Sequence, residues 1–545
     1  MNPGLIAQLR SDLTAARYSL SSLATLWGRT AEDARGRGVF IPALRALEQR
    51  EPSALATLGA VFLLGASVSR DRLDAALPSL GAAGAEALGL VASAPVSVPA
   101  PAPAGTQDPG AGLSARLSLN PVVLPPVVLT AGGEAAAIEW WILSDLDDEL
   151  RGGPAKPDHV MGVGGATRSL IAQVPPIRVG RALDLGTGCG IVAMYLAHLG
   201  AAETVASDIS ERALELAAAN AALNGFEGRI EFRLGSLFEP FAGERFDLIV
   251  SNPPFVITPR GDDEAERYDY RDGGMTGDEL AATVVRTAPQ HLAEGGSLVC
   301  LANWETEWGG HGLERVRGWV REAATLSDRP LDAWVIERDR VDTVRYAETW
   351  ARDGGARPGQ PAFDALLEAW LDDFGARRIV SVGLGSIHVR LADAGARDGA
   401  VAAADASVIH AEQAGGALAH EGLGSSLRGA FDAGSAAARA SDASVLATRW
   451  LRADAVSEER IHTPGQESPT AITLVTDAPI ARRVVADTLL AAAVGVCDGE
   501  LSLGQIADAL ATLLEVDAGA AAEALVAGAR ELAWLGMLEP AAGER

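Results

Sequence analysis

Two short stretches decide the reading of this chain: Asp184-Leu185-Gly186-Thr187-Gly188-Cys189-Gly190 and, further on, Ser251-Asn252-Pro253-Pro254-Phe255. The first follows the run Arg181–Leu185 and opens a helical stretch starting near Ile191. A strand that runs through a glycine-rich turn into a helix lets the backbone approach a bulky ligand, because glycine adopts tight dihedrals that other residues avoid. The free N–H groups at the helix amino end then face the ligand and suit a carboxylate. The glycines stand as Gly186-x-Gly188-x-Gly190, whereas a dinucleotide fingerprint has a further residue before its last glycine. Asp184, just ahead of the turn, suits the ammonium of an amino-acid cofactor. Both details favour S-adenosylmethionine over NAD. Taken alone, the turn is equally a structural strand–helix connection.

The second stretch closes the apolar run Phe246–Ser251, a predicted buried strand, at its carboxyl end, where parallel sheets place their ligands. A planar amide or aromatic amine has a delocalised lone pair and is a poor nucleophile. The Asn252 side-chain oxygen and the Pro253 carbonyl can each accept one N–H from such a group, which favours pyramidalisation and aims the lone pair. Pro253 and Pro254 stiffen the loop, and Phe255 can stack on the flat group. Catalysis then consists of positioning and electrostatics, without a strong base. A lone Asn-Pro-Pro-Phe is more simply a turn leaving a strand, with Phe255 in the core; its place after a glycine-rich turn reverses that preference.

Further candidates follow from the same frame. Asp208 ends the next predicted strand, with Ile209 beside it, and a carboxylate there can accept both ribose hydroxyls. The competing reading is a helix cap: Asp208 and Glu211 have capping-box spacing, with Ser210 as a rival cap. Ser236 and Leu237 follow the third predicted strand, where an adenine ring can lie. The cofactor set is therefore Asp184, Gly186, Thr187, Gly188, Gly190, Asp208, Ile209, Ser236, Leu237 and Asn252. The acceptor set is Asn252, Pro253, Pro254 and Phe255.

Around this centre, strands predicted at 181–185, 204–207, 230–234, 246–251, 297–301, 333–337 and 379–389 alternate, early on, with helices such as Ser210–Asn224. That alternation predicts a parallel α/β sheet with helices on both faces. Residues 1–92 read as a helical domain, with Ala54–Val68 too short to span a bilayer. Residues 93–112, rich in Pro, Ala and Gly, read as a linker, and 113–390 as the central domain with its amino-terminal extension. The Ala/Gly/Asp/Ser-rich stretch 391–443 reads as a flexible, poorly packed segment, and 444–545 as a small α(+β) module. Ile506, Leu510, Leu513 and Leu514, then Leu525, Ala529, Leu532 and Leu535, have helical spacing, and Gly536 precedes a short Met537-Leu538 wing. A winged helix and a plain helical cap are both open there.

The chain has 545 residues, enough for about three domains, 48% of them apolar, and a net charge of −27. That charge repels phosphate backbones unless a local basic patch overrides it. Lys156 is the only lysine, and Cys189, Cys300 and Cys497 are too few and scattered for a disulfide framework. No metal-ligand spacing and no signal peptide are evident, so a cytoplasmic protein with no metal and no membrane partner is expected.

The Asp184–Gly190, Asp208 and Asn252–Phe255 set resembles class I methyltransferases of the small-methyltransferase type. Within them it is most similar to the HemK/PrmC group of release-factor glutamine N5-methyltransferases. Val256-Ile257-Thr258-Pro259 and the double-glycine loop Tyr270–Gly277 resemble their archaeal and eukaryotic members. The resemblance spans about residues 160–390 and implies a Rossmann-like sheet of seven strands, the last antiparallel, with S-adenosylmethionine as donor. Phe255 departs from the tyrosine usual in glutamine methyltransferases and is common in base-modifying relatives. Gly162–Arg168 departs from the bacterial group's proline-rich pattern, although Thr167 or Arg168 can still reach a cofactor. A protein glutamine side chain is the first acceptor expected. An RNA or DNA base (adenine N6 or guanine N2) is the alternative, with Arg267–Arg271 and Arg377-Arg378 as its footprint, and a non-catalytic scaffold is the third.

Overall fold

The computed structural model describes residues 1–93, 112–127, 136–151, 156–259, 274–392, 402–477 and 479–541. The proposed linker beyond Ser93, the arginines at 267–271 and the first half of the double-glycine loop lie outside the described residues. The chain divides into two compact units, each discontinuous in sequence: 1–168 with 178–284 and 342–380, and 169–177 with 285–341 and 381–545.

Eight strands form the central sheet: β1 (Arg181–Leu185), β2 (Glu203–Asp208), β3 (Ile230–Leu234), β4 (Phe246–Ser251), β5 (Leu292–Glu307), β6 (Leu331–Asp342), β7 (Ile379–Leu391) and β8 (Val408–Gln413). Their order is β8-β6-β7-β5-β4-β1-β2-β3. β1, β2, β3 and β4 pair in parallel. The largely apolar runs of β1, β2 and β4 follow from burial on both faces, whereas β3, at the sheet edge, carries Glu231 and Arg233 and is only partly buried. Helix α1 (Ile191–His198) joins β1 to β2, and α2 (Glu211–Leu223) joins β2 to β3. After β6 the chain makes two helices, α3 (Thr343–Asp353) and α4 (Pro361–Ala376), before returning as β7.

The amino-terminal region of the first unit has seven helices between Pro3 and Ala87, and Ala54–Leu64 is its buried centre. It leads to a hairpin of Leu117–Val127 with Ala136–Asp145, in which Leu119 pairs with Leu143 and Pro121 with Trp141. In the second unit, helix 488–495, strand 498–502, α6 (Leu503–Leu514), α7 (Ala518–Trp534) and strand 538–540 follow one another in winged-helix order. Gly536 (φ 68°) makes the turn into the last strand. Ile506 is buried there, whereas Leu513 is exposed, so the apolar spacing overstated the packed face of α6.

Among the described residues the sheet has an eighth strand beside the seven expected. The extra one, β8, comes from the stretch read as flexible, and it pairs in parallel with β6 from Val408 beside Asp332 to Gln413 beside Glu337. The same stretch then forms α5 (Leu423–Arg439), which buries Leu423, Leu427, Phe431 and Ala437. Its small residues permit close contact. A β-carbon on Gly424 would lie 2.2 Å from the Val174 carbonyl oxygen, and one on Gly434 would lie 2.4 Å from the Trp534 ring. Composition mimicked disorder because tight helix packing and poor core formation both select Ala, Gly and Ser.

This gives a paired test. Gly429 sits on the exposed side of α5 with nothing within 4 Å of an added β-carbon. Gly429→Ala should therefore stabilise the protein by roughly 0.5–1 kcal/mol, as alanine does in helices. Gly424→Ala must move backbone and should destabilise by about 1–3 kcal/mol. Thermal melts of the two variants against the parent read both signs.

Candidate functional site

Register brings the two sequence motifs together. Leu185 of β1 lies beside Ser251 of β4, so Gly186 and Asn252 are the next residues beyond adjacent strand ends. The Ser251 hydroxyl, fully buried, donates to the Leu185 carbonyl at 2.9 Å and ties the two ends. On the other side Leu185 lies beside Ser207, and Asp208 follows at the end of β2. Asp208 in turn lies beside Leu234 of β3, just before Gly235, Ser236 and Leu237.

The glycine turn bends back onto β2. The N–H groups of Gly186 and Thr187 both donate to the Ser207 carbonyl, at 3.0 and 2.8 Å. Gly186, Gly188 and Gly190 have φ of 80°, 52° and 84°, a left-handed path that only glycine follows without strain. Their surroundings differ. A β-carbon on Gly186 or Gly188 would meet nothing within 4 Å, so that face of the turn is open to a ligand. One on Gly190 would lie 2.8 Å from the Ala217 β-carbon, so this glycine serves the approach of α1 to α2.

Asp184 is buried beneath the turn. One of its oxygens accepts from the Thr187 hydroxyl at 2.6 Å and from the Ala193 N–H at 2.9 Å. That oxygen thus pins the turn and the first turn of α1. Burial pushes the Asp184 carboxyl up to about 7, against the opposing pull of those two hydrogen bonds.

Asp208 does not cap α2: Ser210 does, accepting from the Ala213 N–H at 3.3 Å. The Asp208 carboxylate instead accepts from the Gly188 N–H and from the Ser210 N–H, each at 2.9 Å. It holds the glycine turn from the β2 side. Beside it Ile209 is 62% exposed. Leu237, half-buried, has φ 47°, a left-handed conformation uncommon for a bulky residue and a marker of local constraint.

Asn252 carries the most telling feature. Its Nδ2 donates to the Thr167 hydroxyl at 3.3 Å, which turns the amide oxygen the other way. That oxygen is shielded from solvent and accepts no hydrogen bond from any described residue. Burying an unpaired amide oxygen costs about 1–3 kcal/mol, so such an atom marks a site awaiting a donor. Pro253 is buried, and Pro254 and Phe255 are half-buried.

The residues after Phe255 are clamped by side chains that the sequence did not single out. The Ile257 N–H donates to the Tyr346 hydroxyl at 2.9 Å, and the Trp370 indole donates to the Ile257 carbonyl at 2.7 Å. Tyr346 is on α3 and Trp370 on α4; both are buried, and Tyr346 meets Phe374 edge-on with ring centres 5.9 Å apart. The only signal in sequence was a pair of aromatics on amphipathic helices, which reads as ordinary core. Of the other two candidates for reaching a cofactor, Thr167 touches Asn252, and Arg168 donates to the Val123 carbonyl at 2.7 Å.

Comparison with known proteins finds two family models and several relatives. Residues 161–325 match the methyltransferase small domain. Residues 15–101 match a second model, described as a domain of unknown function (DUF7059). The ribosomal protein uL3 glutamine methyltransferase of Bradyrhizobium diazoefficiens is 38% identical over 151 residues, 26% of this chain and 46% of that protein. The release factor glutamine methyltransferase of Xylella fastidiosa (strain Temecula1) is 37% identical over 171 residues, 30% of this chain and 59% of that protein. The ribosomal RNA small subunit methyltransferase C of Cronobacter sakazakii is 36% identical over 135 residues, 25% of this chain and 34% of that protein. The chain thus spans 46% and 59% of the first two relatives. The methyltransferase small domain of this chain is of class I and is related to the HemK/PrmC group over part of its length.

Two measurements test the site as built. Tyr346→Phe leaves the buried Ile257 N–H without its acceptor and should cost about 1–3 kcal/mol of stability, read by denaturant unfolding. For Asp184 the folded-state pKa is raised, so the folded protein binds the extra proton between about 4 and 7. The carboxyl's contribution to stability is therefore present in acid and falls as pH rises through about 7. Melting temperatures across pH 4 to 8 should show that fall, and Asp184→Asn should flatten it relative to the parent.

Proposed function

We propose that this protein is an S-adenosylmethionine-dependent N-methyltransferase acting on a planar amide nitrogen, with a protein glutamine side chain as its acceptor. The observation that carries the reading is the shielded, unpaired Oδ1 of Asn252 at the carboxyl end of β4. An acceptor N–H satisfies it. The residues around it fit the donor: open space over Gly186 and Gly188, the Asp208 carboxylate at the end of β2, and exposed Ile209 beside it.

When bound, S-adenosylmethionine supplies an electrophilic methyl group on a sulfonium centre. The chain's own part is to position the acceptor. Asn252 Oδ1 and the Pro253 carbonyl each accept one N–H of the acceptor amide, and Phe255 covers its flat face. Holding both hydrogens draws the nitrogen toward a pyramidal form and frees its lone pair. Methyl transfer would exchange one S–C bond of the donor for one N–C bond and leave the neutral thioether as the departing group. The nitrogen then carries a proton that is strongly acidic and passes to water, so no general base is needed. The Tyr346 and Trp370 bonds to Ile257 keep the loop aimed.

A base acceptor is the second reading, supported by Phe255 and by the similarity to a ribosomal RNA methyltransferase over 135 residues. Against it stand the charge of −27 and the surface of α7. In a winged helix the corresponding helix enters nucleic acid. Here Arg530 of α7 donates to the Ala437 and Ala440 carbonyls of α5, and the exposed charges on α7 are Glu523 and Glu531. Arg530, the cation of α7, is also paired with Asp442 at 2.9 Å, so it is already engaged where a phosphate backbone would need it.

Radiolabelled methyl transfer into cell extract tests the choice: label lost to protease and kept through nuclease is expected, and the reverse would establish the base reading. Asn252→Ala should reduce turnover by at least 100-fold with cofactor affinity nearly intact; retained turnover removes the assigned grip. Asp208→Ala should instead weaken cofactor binding.

A further inference from the structure

We infer that Asn220 is a positioning residue for the cofactor turn, and that through it the amino-terminal hairpin sets how tightly the turn holds its ligand. The inference rests on the methyltransferase reading above. Asn220 is fully buried on α2. Its Oδ1 accepts from the Leu143 N–H at 2.7 Å, and its Nδ2 donates to the Leu143 carbonyl and to the Cys189 carbonyl, both at 2.9 Å. Leu143 belongs to the hairpin; Cys189 lies between the last two glycines of the turn. One amide thus joins two segments far apart in sequence and uses both its hydrogens to do so.

The pairing has a geometric cause. Four residues of helix rise about 6 Å, and two residues of strand advance about 6.8 Å. Side chains at i and i+4 of α2 therefore meet alternate residues of strand Ala136–Asp145. Asn224 repeats the arrangement one turn on: its Oδ1 accepts from the Trp141 N–H at 2.9 Å, and its Nδ2 donates to the Trp141 carbonyl at 2.8 Å. Two turns before Asn220, the Arg212 side chain also reaches this strand and donates to the Asp145 carboxylate at 2.6 Å. Leu117–Val127 covers one edge of this strand, and α2 covers the other with asparagine amides in place of a third strand.

The two asparagines differ in one respect. Both grip the hairpin, and Asn220 alone also grips the turn. The turn is then held from two sides, by Asp208 at the Gly188 N–H and by Asn220 at the Cys189 carbonyl. The hairpin is tied to the amino-terminal helices in turn: the Tyr18 hydroxyl donates to the Leu119 carbonyl at 2.8 Å, and the Trp141 indole to the Tyr18 carbonyl at 2.6 Å. A continuous chain of hydrogen bonds runs from the helical region to the turn. Coupling of this kind is reciprocal, so ligand at the turn must also steady the hairpin.

The experiment is calorimetric titration of the full chain, Asn220→Ala and Asn224→Ala with S-adenosylhomocysteine, beside hydrogen exchange of the full chain with and without it. Asn220→Ala should weaken binding by about tenfold, and Asn224→Ala should leave it within about twofold although both lose the hairpin grip. In the parent protein the ligand should slow exchange in peptides containing Leu143. Equal weakening in the two variants, or no slowing at Leu143, overturns the inference; if Asn220→Ala does not fold, the exchange result alone decides. A parent protein that binds no S-adenosylhomocysteine overturns the methyltransferase reading itself, which is a separate outcome.

Discussion

The pairing of β1 with β4 is the constraint on which the site depends. With Leu185 opposite Ser251, a parallel register places the glycine turn and the Asn-Pro-Pro-Phe loop at neighbouring strand ends. A slip of one residue would turn Ser251 out of its bond to the Leu185 carbonyl and send alternate side chains to the wrong face. Burial prevents the slip, since both strands are packed on both faces. The glycine turn and the Asn-Pro-Pro-Phe loop therefore meet as a consequence of core packing.

Polar groups around that junction are in two conditions. Asp184, Asp208 and Asn220 are committed to backbone N–H or carbonyl groups and hold the turn in shape. Asn252 is held by one end only, and its other end is shielded and idle. A site that pins its frame and leaves one acceptor unspent is prepared for a ligand that donates. Keeping the frame rigid lowers the ordering cost when that ligand arrives.

Small residues act similarly across the chain. Gly190 admits Ala217, Gly424 admits the Val174 carbonyl, and Gly434 admits the Trp534 ring. In each case the glycine's value lies in what sits against it. That information is absent from composition, and it is why the Ala/Gly/Ser-rich stretch read as loose although it contains β8 and the packed helix α5.

The sequence by itself determined the α/β architecture, the strands β1, β3 and β4 to the residue, and the identity of the turn and loop, because periodicity, glycine spacing and proline placement are local properties. Only the tertiary structure decided what those residues do to one another. It chose Ser210 over Asp208 as the helix cap, gave Asp184 to the turn, and separated open Gly186 and Gly188 from packed Gly190. It also revealed the Tyr346–Trp370 clamp and the Asn220 bridge, whose partners lie 89, 113, 77 and 31 residues away along the chain. Hydrogen bonds across such distances leave no local pattern; they exist only once packing has brought the strand ends, the helices and the hairpin into reach.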